Sequence, residues 1–173
     1  MLSSCRAMTH IRPARADDFA RLNEIEQQAD LVYADVGLDL VLDMPTASHE
    51  RLAQGPLWVA ADVGDRPVGF ALAGEIDDFA LLDQLSVLPA HGRKGIGARL
   101  IHQVEDWARR EGLAALVLFT YRDVAWNQPF YERQGFSEMP QSAWGDDIRA
   151  MWTEHARLGH DPARRVVMWK RLG

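Results

Sequence analysis

The sequence predicts one mixed α/β domain, and three features of the chain support this prediction. Its 173 residues are about the length of one ordinary domain. Short apolar runs of strand length alternate with stretches of helical periodicity, and no Pro/Gly/Ser-rich linker divides them. Around residues 96–108 a strand, a helix and a second strand follow one another, which predicts two parallel strands joined by a helix. We therefore expect a tail over residues 1–8 and one domain over residues 9–173.

The first third of the chain is predicted to begin with a strand and a helix. Residues 11–14 have the pattern of a short edge strand, and the acidic residues within 16–18 provide a helix start. Apolar positions then recur at helical spacing over residues 19–26. The pattern over residues 33–53 is ambiguous, except that residues 48–52 indicate a short helix.

The middle of the chain is predicted to form three consecutive antiparallel strands. Residues 57–63 and 68–73 are apolar runs joined by the turn residues 64–67, a pattern typical of a hairpin. After another turn, residues 80–87 continue as a third strand, which Pro89 ends.

A helical crossover follows these strands. The apolar face over residues 96–108 ends at Gly112, and residues 114–120 return as a strand parallel to residues 80–87. The glycine-rich turn at residues 92–97 then lies at the carboxyl end of a strand. Open α/β sheets tend to bind ligands at that edge.

The last third of the chain has one clear helix and one clear strand. A second amphipathic helix is predicted over residues 124–133, ending at Gly135, and a final strand over residues 165–170. Residues 137–163 have few periodic apolar positions, so no element is assigned to them.

Composition and charge disfavour several classes of partner. Hydrophobic residues make up 47% of the chain and charged residues 25%, which is typical of a folded globular protein. The 19 basic and 25 acidic residues give a formal net charge of -6. This charge repels a nucleic-acid backbone and gives no general attraction to an anionic membrane surface. We therefore expect neither a nucleic acid nor a membrane as a partner.

The cysteine and histidine content predicts no metal site. The single cysteine, Cys5, rules out an intrachain disulfide, and we interpret it as an incidental thiol in the tail. His155 and His160 are five residues apart, which does not place them on one helical face, so we expect them at the surface. With no apolar run of signal-peptide length in the tail, the sequence favours a cytoplasmic location.

The clearest candidate for a binding site is the turn within residues 85–98, Leu-Ser-Val-Leu-Pro-Ala-His-Gly-Arg-Lys-Gly-Ile-Gly-Ala. Its glycines allow backbone N–H groups to surround an anion, and the following helix adds a partial positive charge at its N-terminus. A tight chain reversal alone also explains such a turn. A Walker loop is excluded because Gly95, not Ser or Thr, follows Lys94, and a Rossmann fingerprint is excluded by Leu100.

Two motifs in this order resemble those of the GNAT superfamily of acyl-CoA-dependent N-acyltransferases. Gly95 and Gly97 match the glycines of its Gln/Arg-x-x-Gly-x-Gly/Ala motif, whereas Gly92 stands at the Gln/Arg position. Residues 126–136, Trp-Asn-Gln-Pro-Phe-Tyr-Glu-Arg-Gln-Gly-Phe, are similar to the helix that carries the family's Asn, Tyr and Gly-Phe positions. The resemblance covers about residues 10–140.

The resemblance implies both a fold and a cosubstrate. The fold is a mostly antiparallel mixed sheet, with a central parallel strand pair splayed around the cofactor and helices on both faces. The cosubstrate is acetyl-CoA, whose pantetheine arm pairs with the first splayed strand and whose pyrophosphate lies in the glycine turn. The residues expected to contact it are Leu85, Ser86, Val87, Gly92, Arg93, Lys94, Gly95, Ile96, Gly97, Ala98, Asn127, Phe130 and Tyr131.

The implied reaction needs an acid for the leaving thiolate and a base for the attacking amine. Tyr131 matches the family position that supplies the acid, although a tyrosine there could also serve only as packing. Asp83 is the candidate base because it lies on the same face of its strand as Leu85. Other acidic residues in the preceding strand and turn, or a water relay, are the alternatives. Those acidic residues are Glu75, Asp77 and Asp78.

The expected function is transfer of an acetyl or other short acyl group from acetyl-CoA to a primary amine by direct attack. The alternatives are a non-catalytic acyl-CoA-binding sensor module and a nucleotide-dependent phosphotransferase. A small-molecule amine and a protein amine both remain open as acceptor, and family habit favours a homodimer. Asp35, Asp146 and Asp147 would suit a cationic amine. Arg122 and Asp123 could reach the acceptor, but we favour an ion pair between them that holds the loop leading into Trp126.

Overall fold

A single seven-stranded sheet runs through the part of the protein that the computed structural model describes, residues 8–173. Its strand order is β1-β2-β3-β4-β5-β7-β6. The strands are β1 (His10–Pro13), β2 (Leu57–Ala61), β3 (Pro67–Ile76), β4 (Phe79–Val87), β5 (Ala115–Tyr121), β6 (Ser137–Glu138) and β7 (Arg165–Arg171). The helices are α1 (Phe19–Asp30), α2 (Asp39–Asp43), α3 (His49–Gln54), α4 (Ile96–Arg110), α5 (Gln128–Arg133) and α6 (Asp146–Arg157). The expectations for Cys5 and most of the tail lie outside the described residues.

The strands β1 to β4 form the antiparallel half of the sheet, as the sequence predicts. The edge strand β1 pairs with β2, and β2 pairs in turn with β3. Every residue of β2 is buried, which explains why its sequence is a continuous apolar run and does not alternate.

The strands β4 and β5 are parallel and separate after a short contact. Only Ala80 with Leu116 and Leu81 with Val117 are paired, whereas β5 pairs with β7 along its whole length. Asp83 is an extra residue in β4, because Leu82 pairs with Ala73 and Gln84 with Leu72. Such a bulge bends its strand, so β4 diverges from β5 beyond this point. The splayed parallel pair that the family resemblance implies is confirmed.

The two larger hydrophobic clusters lie on opposite faces of the sheet, so helices cover both faces, as expected. Leu22 of α1 and Leu100 of α4 belong to the larger core, and Ile148 of α6 belongs to the smaller one. In β5, Leu118 contacts the first core and Val117 the second, as alternation along a strand requires.

Three segments differ from the sequence prediction. The second predicted helix begins at Gln128, not at residue 124, because the chain first turns and the Asn127 N–H bonds to the Val124 carbonyl at 2.9 Å. Residues 137–163 hold β6 and α6, where only Ile148 of the helix is fully buried and the apolar stripe is therefore narrow. Residues 31–36 form a 3-10 segment, Leu31–Val36, ahead of α2.

The expected ion pair between Arg122 and Asp123 is wrong. Neighbours in sequence point away from each other here, and each finds a partner in another part of the chain. Arg122 pairs with Glu138 through Nη1 and Oε2 at 2.9 Å. Asp123 pairs with Arg164 through Oδ2 and Nε at 3.0 Å. Both ion pairs hold the loop after β5 against the segments around β6 and β7.

Within residues 8–173, no helix is both long enough and apolar enough to cross a membrane. The same residues contain no group of three or more His, Cys, Asp or Glu side chains arranged to hold a metal ion.

Candidate active site

Two connected spaces open where β4 and β5 separate. The first, here called the outer cleft, has a volume of about 780 Å³ and runs from the glycine turn along β4 to α5. The second, here called the inner cavity, has a volume of about 420 Å³ and lies between α1, β4, β5 and α6. The side chains that line both spaces are Asp30, Tyr33, Leu85, Asn127 and Tyr131.

The mouth of the outer cleft is the turn before α4. Gly95 has a left-handed backbone with φ 77°, which favours glycine, and it is the N-cap of the helix. The first hydrogen bond of the helix runs from Arg99 N to the Gly95 carbonyl at 3.1 Å. The N–H groups of Ile96, Gly97 and Ala98 therefore have no partner inside the helix and remain available to an anion.

The predicted cofactor contacts converge on this cleft. With the exception of Lys94, each of them lines it. Lys94 is exposed and lies outside the lining, whereas its neighbour Arg93 belongs to it. Gly97 sets the width of the cleft, because an added Cβ would lie 3.3 Å from Cζ of Phe130. Helices α4 and α5 approach each other closely at this glycine.

Tyr131 forms part of the wall between the two spaces. Its ring packs edge-on against Phe130 and Phe136, with centroid distances of 5.1 and 5.8 Å. Burial raises the pKa of its hydroxyl, which therefore stays protonated at neutral pH. No hydrogen bond within residues 8–173 contributes to this pKa shift, so the hydroxyl can donate to a group in the cleft.

Asn127 is held in place by a residue that the sequence analysis did not identify. Its side-chain amide lies 3.1 Å from the Tyr33 hydroxyl, although the two residues are 94 positions apart. Tyr33 also packs against Tyr121 and Trp126, with both centroid distances 5.9 Å. The 3-10 segment that carries Tyr33 thereby covers the junction of the two spaces.

Among the carboxylates that line this junction, Asp30 has a strongly shifted pKa. Burial, and then the charge of Glu26 one helical turn earlier, raise its pKa to about 7. Glu26 itself accepts a hydrogen bond from the Ala47 N–H at 3.0 Å and so stabilises the loop before α3. The sequence contained a signal for this pair, because residues 26 and 30 lie on the same helical face as buried Leu22.

Asp83 lines the inner cavity and forms an ion pair. Its Oδ2 lies 3.0 Å from Nε of Arg51, so its charge is balanced by a cation from α3. The alternative base Asp77 is occupied elsewhere. Its carboxylate accepts from the N–H groups of Asp147 and Ile148 at 3.0 and 3.1 Å and caps α6.

The far wall of the inner cavity contains a buried arginine and two histidines. Arg165 is 8% exposed, and its Nη2 lies 3.1 Å from Nδ1 of His155. Its guanidinium also stacks 4.8 Å from the ring centre of Tyr121. His160 contacts the same tyrosine, whose hydroxyl hydrogen-bonds to its Nδ1.

The expectation that His155 and His160 are surface residues is wrong. Both are half-buried, with ring centroids 5.6 Å apart. Gly159, with φ 103°, turns the chain after α6 and brings the two rings together despite their spacing. Burial and the nearby Arg165 charge lower both pKa values to about 4, so both rings are neutral at pH 7.

A family model and several solved structures match this chain. Residues 19–136 match the family model described as acetyltransferase (GNAT) family. A GNAT-family acetyltransferase from Staphylococcus aureus Mu50 is 16% identical with a TM-score of 0.72, over 96% of this chain and 100% of that one. The PaiA N-acetyltransferase from Thermoplasma acidophilum, solved with coenzyme A, is 17% identical with a TM-score of 0.67, over 95% and 99% of the two chains.

A third similar structure belongs to a larger protein. The N-acetylglutamate synthase from Neisseria gonorrhoeae, solved with coenzyme A and N-acetyl-glutamate, is 18% identical with a TM-score of 0.74. The match covers 97% of this chain and 36% of the synthase chain. At these identities the likeness of all three structures establishes a shared fold.

The ionisation of Asp30 can be measured directly. Its carboxyl should titrate near pH 7 in a carbon-13 NMR titration. Since the native state keeps a proton that the unfolded chain loses above about pH 3.8, Asp30 makes the free energy of unfolding fall between pH 4 and 7. Asp30→Asn should flatten this part of the stability profile in urea denaturation. Glu26→Gln should lower the Asp30 midpoint, and a wild-type midpoint near 4 would contradict the assignment.

Proposed function

The chain belongs to the GNAT acetyltransferase family, and from this membership we propose that it transfers an acetyl group from acetyl-CoA to a primary amine by direct attack. The observation that supports this function best is the position of Tyr131 between two connected spaces. One space suits a long cosubstrate that ends in a thioester. The other suits the amine that attacks it.

The outer cleft fits coenzyme A in shape and in polarity. The free N–H groups at the start of α4, together with Arg93, suit a pyrophosphate at the exposed mouth. Further in, the β4 backbone over residues 85–87 has no strand beside it on the β5 side, because the two strands pair only at Ala80 and Leu81. Its free N–H and C=O groups suit the amides of a pantetheine arm. When bound, acetyl-CoA supplies an activated acyl group at a carbonyl carbon.

The residues of this chain supply an acid to the reaction. As the amine nitrogen forms a bond with the acyl carbon, the C–S bond breaks and the sulfur gains negative charge. The Tyr131 hydroxyl is protonated before the reaction because burial raises its pKa, and the negative charge that develops on the sulfur draws that proton. The proton lost by Tyr131 is restored from solvent.

The proposed base is Asp30. It lines both spaces and has a pKa of about 7, close to the pH at which a general base works best. Asp83, the candidate from the sequence, lines the inner cavity too, but its charge is engaged by Arg51. We therefore assign Asp83 to shaping the cavity and Asp30 to accepting the amine proton.

The proposed function is tested by release of free coenzyme A thiol over a panel of amines, with acetyl-CoA alone as the hydrolysis blank. Amine-dependent release above the blank supports an acetyltransferase. Tight binding of acetyl-CoA without release from any amine would favour a binding module. Tight binding of ATP in place of acetyl-CoA would exclude the proposal.

Removing the Tyr131 hydroxyl should slow the chemical step. Tyr131→Phe keeps the ring that packs against Phe130 and Phe136 but loses the proton donor. We expect kcat to fall by about 10²–10⁴. Calorimetric affinity for acetyl-CoA should be nearly unchanged in the same protein, which serves as the internal control. An unchanged kcat would remove Tyr131 from the mechanism.

A bulky side chain in place of Gly95 should prevent the pyrophosphate of acetyl-CoA from binding in the turn. An added Cβ at Gly95 meets no protein atom within 4 Å, so no protein atom excludes a side chain there and a loss of binding would report on the ligand. The matched control is Gly112 at the other end of α4, which also has a left-handed φ, 73°, and open space. Both valine variants should lose about 1–2 kcal/mol of stability through backbone strain. Only Gly95→Val should lose acetyl-CoA binding by calorimetry, and equal binding by the two variants would place the pyrophosphate elsewhere.

The choice of base predicts a pH profile. If Asp30 accepts the amine proton, kcat/KM should rise with pH and level off above about 7, as the carboxylate forms. Asp30→Asn should abolish this limb and lower kcat/KM by about 10²-fold, while Asp83→Asn should retain the limb. The reverse result would identify Asp83 as the base. A limb that persists in both variants would indicate a water relay.

A further inference from the structure

The inner cavity contains an arginine whose charge has no acidic partner among residues 8–173. Two arginines line this cavity, and they differ in their surroundings. Arg51 is half-exposed and is paired with Asp83. Arg165 is 8% exposed; its guanidinium hydrogen-bonds to the neutral His155 and stacks on the ring of Tyr121. A buried cation of this kind is costly unless an anion joins it.

The hydrogen-bonding groups of Arg165 are also incompletely used. Its Nε is buried and has no hydrogen-bond partner within the described part of the chain. This atom has almost no accessible surface, so a ligand in the cavity would compensate the charge of Arg165 through the terminal guanidinium nitrogens and not through Nε. The planar guanidinium is suited to the two oxygens of a carboxylate.

The wall of the inner cavity opposite Arg165 carries acidic side chains. Asp30 and Asp83 come from α1 and β4, whereas Arg165 comes from β7, on the other side of β5. An amine is attracted toward Asp30, which lines both spaces together with Tyr131, whereas the Asp83 charge is balanced by Arg51. An acid group is attracted toward Arg165. The volume of about 420 Å³ is that of a small-molecule site.

We propose that the acceptor is a free amino acid or a closely related amino-carboxylate, and that Arg165 binds its carboxylate. This inference rests on the proposed acetyl transfer and specifies its substrate class. A lysine side chain or an N-terminus within a protein has no free carboxylate beside the amine, and a polyamine has none at all. Both classes would leave the Arg165 charge uncompensated.

The test compares acceptors that differ only in the carboxylate. Thiol release is measured for amino acids, for their α-amides and for the corresponding decarboxylated amines, with the same side chains. A hydrogen-bonded charge is worth about 1.5–3 kcal/mol, so kcat/KM should favour each amino acid by about 10- to 150-fold. Equal kcat/KM for the acids and the amides in the wild-type protein would overturn the inference.

Two variants attribute the preference to Arg165. Arg165→Met should reduce the acid-to-amide ratio to near 1, mainly through a higher KM for the acids. Arg171→Met, in the same strand but exposed and stacked on Trp169, should keep the ratio of the wild type. A merely structural role of Arg165 would lower activity on acids and amides alike and leave the ratio unchanged, which would also overturn the inference.

Folding and the proposed function are checked on the same samples. Thermal unfolding and acetyl-CoA affinity show whether each variant is intact, and if Arg165→Met does not fold, the ratio is measured with Arg165→Lys, where we expect a partial loss. If no amine releases thiol although acetyl-CoA binds, the proposed function fails and this inference fails with it. If amines react but without preference for a carboxylate, only this inference fails.

Discussion

The separation of β4 from β5 is the constraint on which the rest of the site depends. The strands are joined only at Ala80 and Leu81, and the bulge at Asp83 then bends β4 away. This leaves one edge of β4 without a strand partner in the middle of a sheet, where free N–H and C=O groups are costly. A ligand that carries amides along its length can satisfy them. The same break in pairing also makes room for Tyr131 from one side and for Asp30 from the other.

Features encoded by short stretches of sequence could be predicted. The apolar runs of β2 to β5 and the single apolar face of α4 followed directly from their periodicity. Gly95 and Gly97 could be identified from the glycine-rich turn and its resemblance to the family motif, and the structure explains them by a left-handed backbone and a close helix contact. Tyr131 could be identified because residues 126–136 resemble a family motif that is continuous in sequence. In each case the information is contained within about a dozen consecutive residues.

Features that depend on contacts between distant segments could not be predicted. The partner of Asn127 is Tyr33, and the partners of Arg122 and Asp123 lie near β6 and β7. The spacing of residues along the chain does not indicate which distant residues will pair. Arg165 was assigned only to a strand, because its lack of a carboxylate partner is a property of the assembled cavity. Helix α6 was missed because most of its surface faces solvent and its apolar stripe is narrow.

The hydrogen bond between Tyr33 and Asn127 shows that the site depends on segments far apart in the chain. It closes a loop of 94 residues and joins the segment after α1 to the start of α5. Closing so long a loop costs chain entropy, which the packing around the junction must offset. The junction and the inner cavity both depend on segments that are far apart in the chain, because Arg165 of β7 forms part of the cavity wall. A chain that ends before β7 would therefore contain the glycine turn and α5 but lack one wall of the inner cavity.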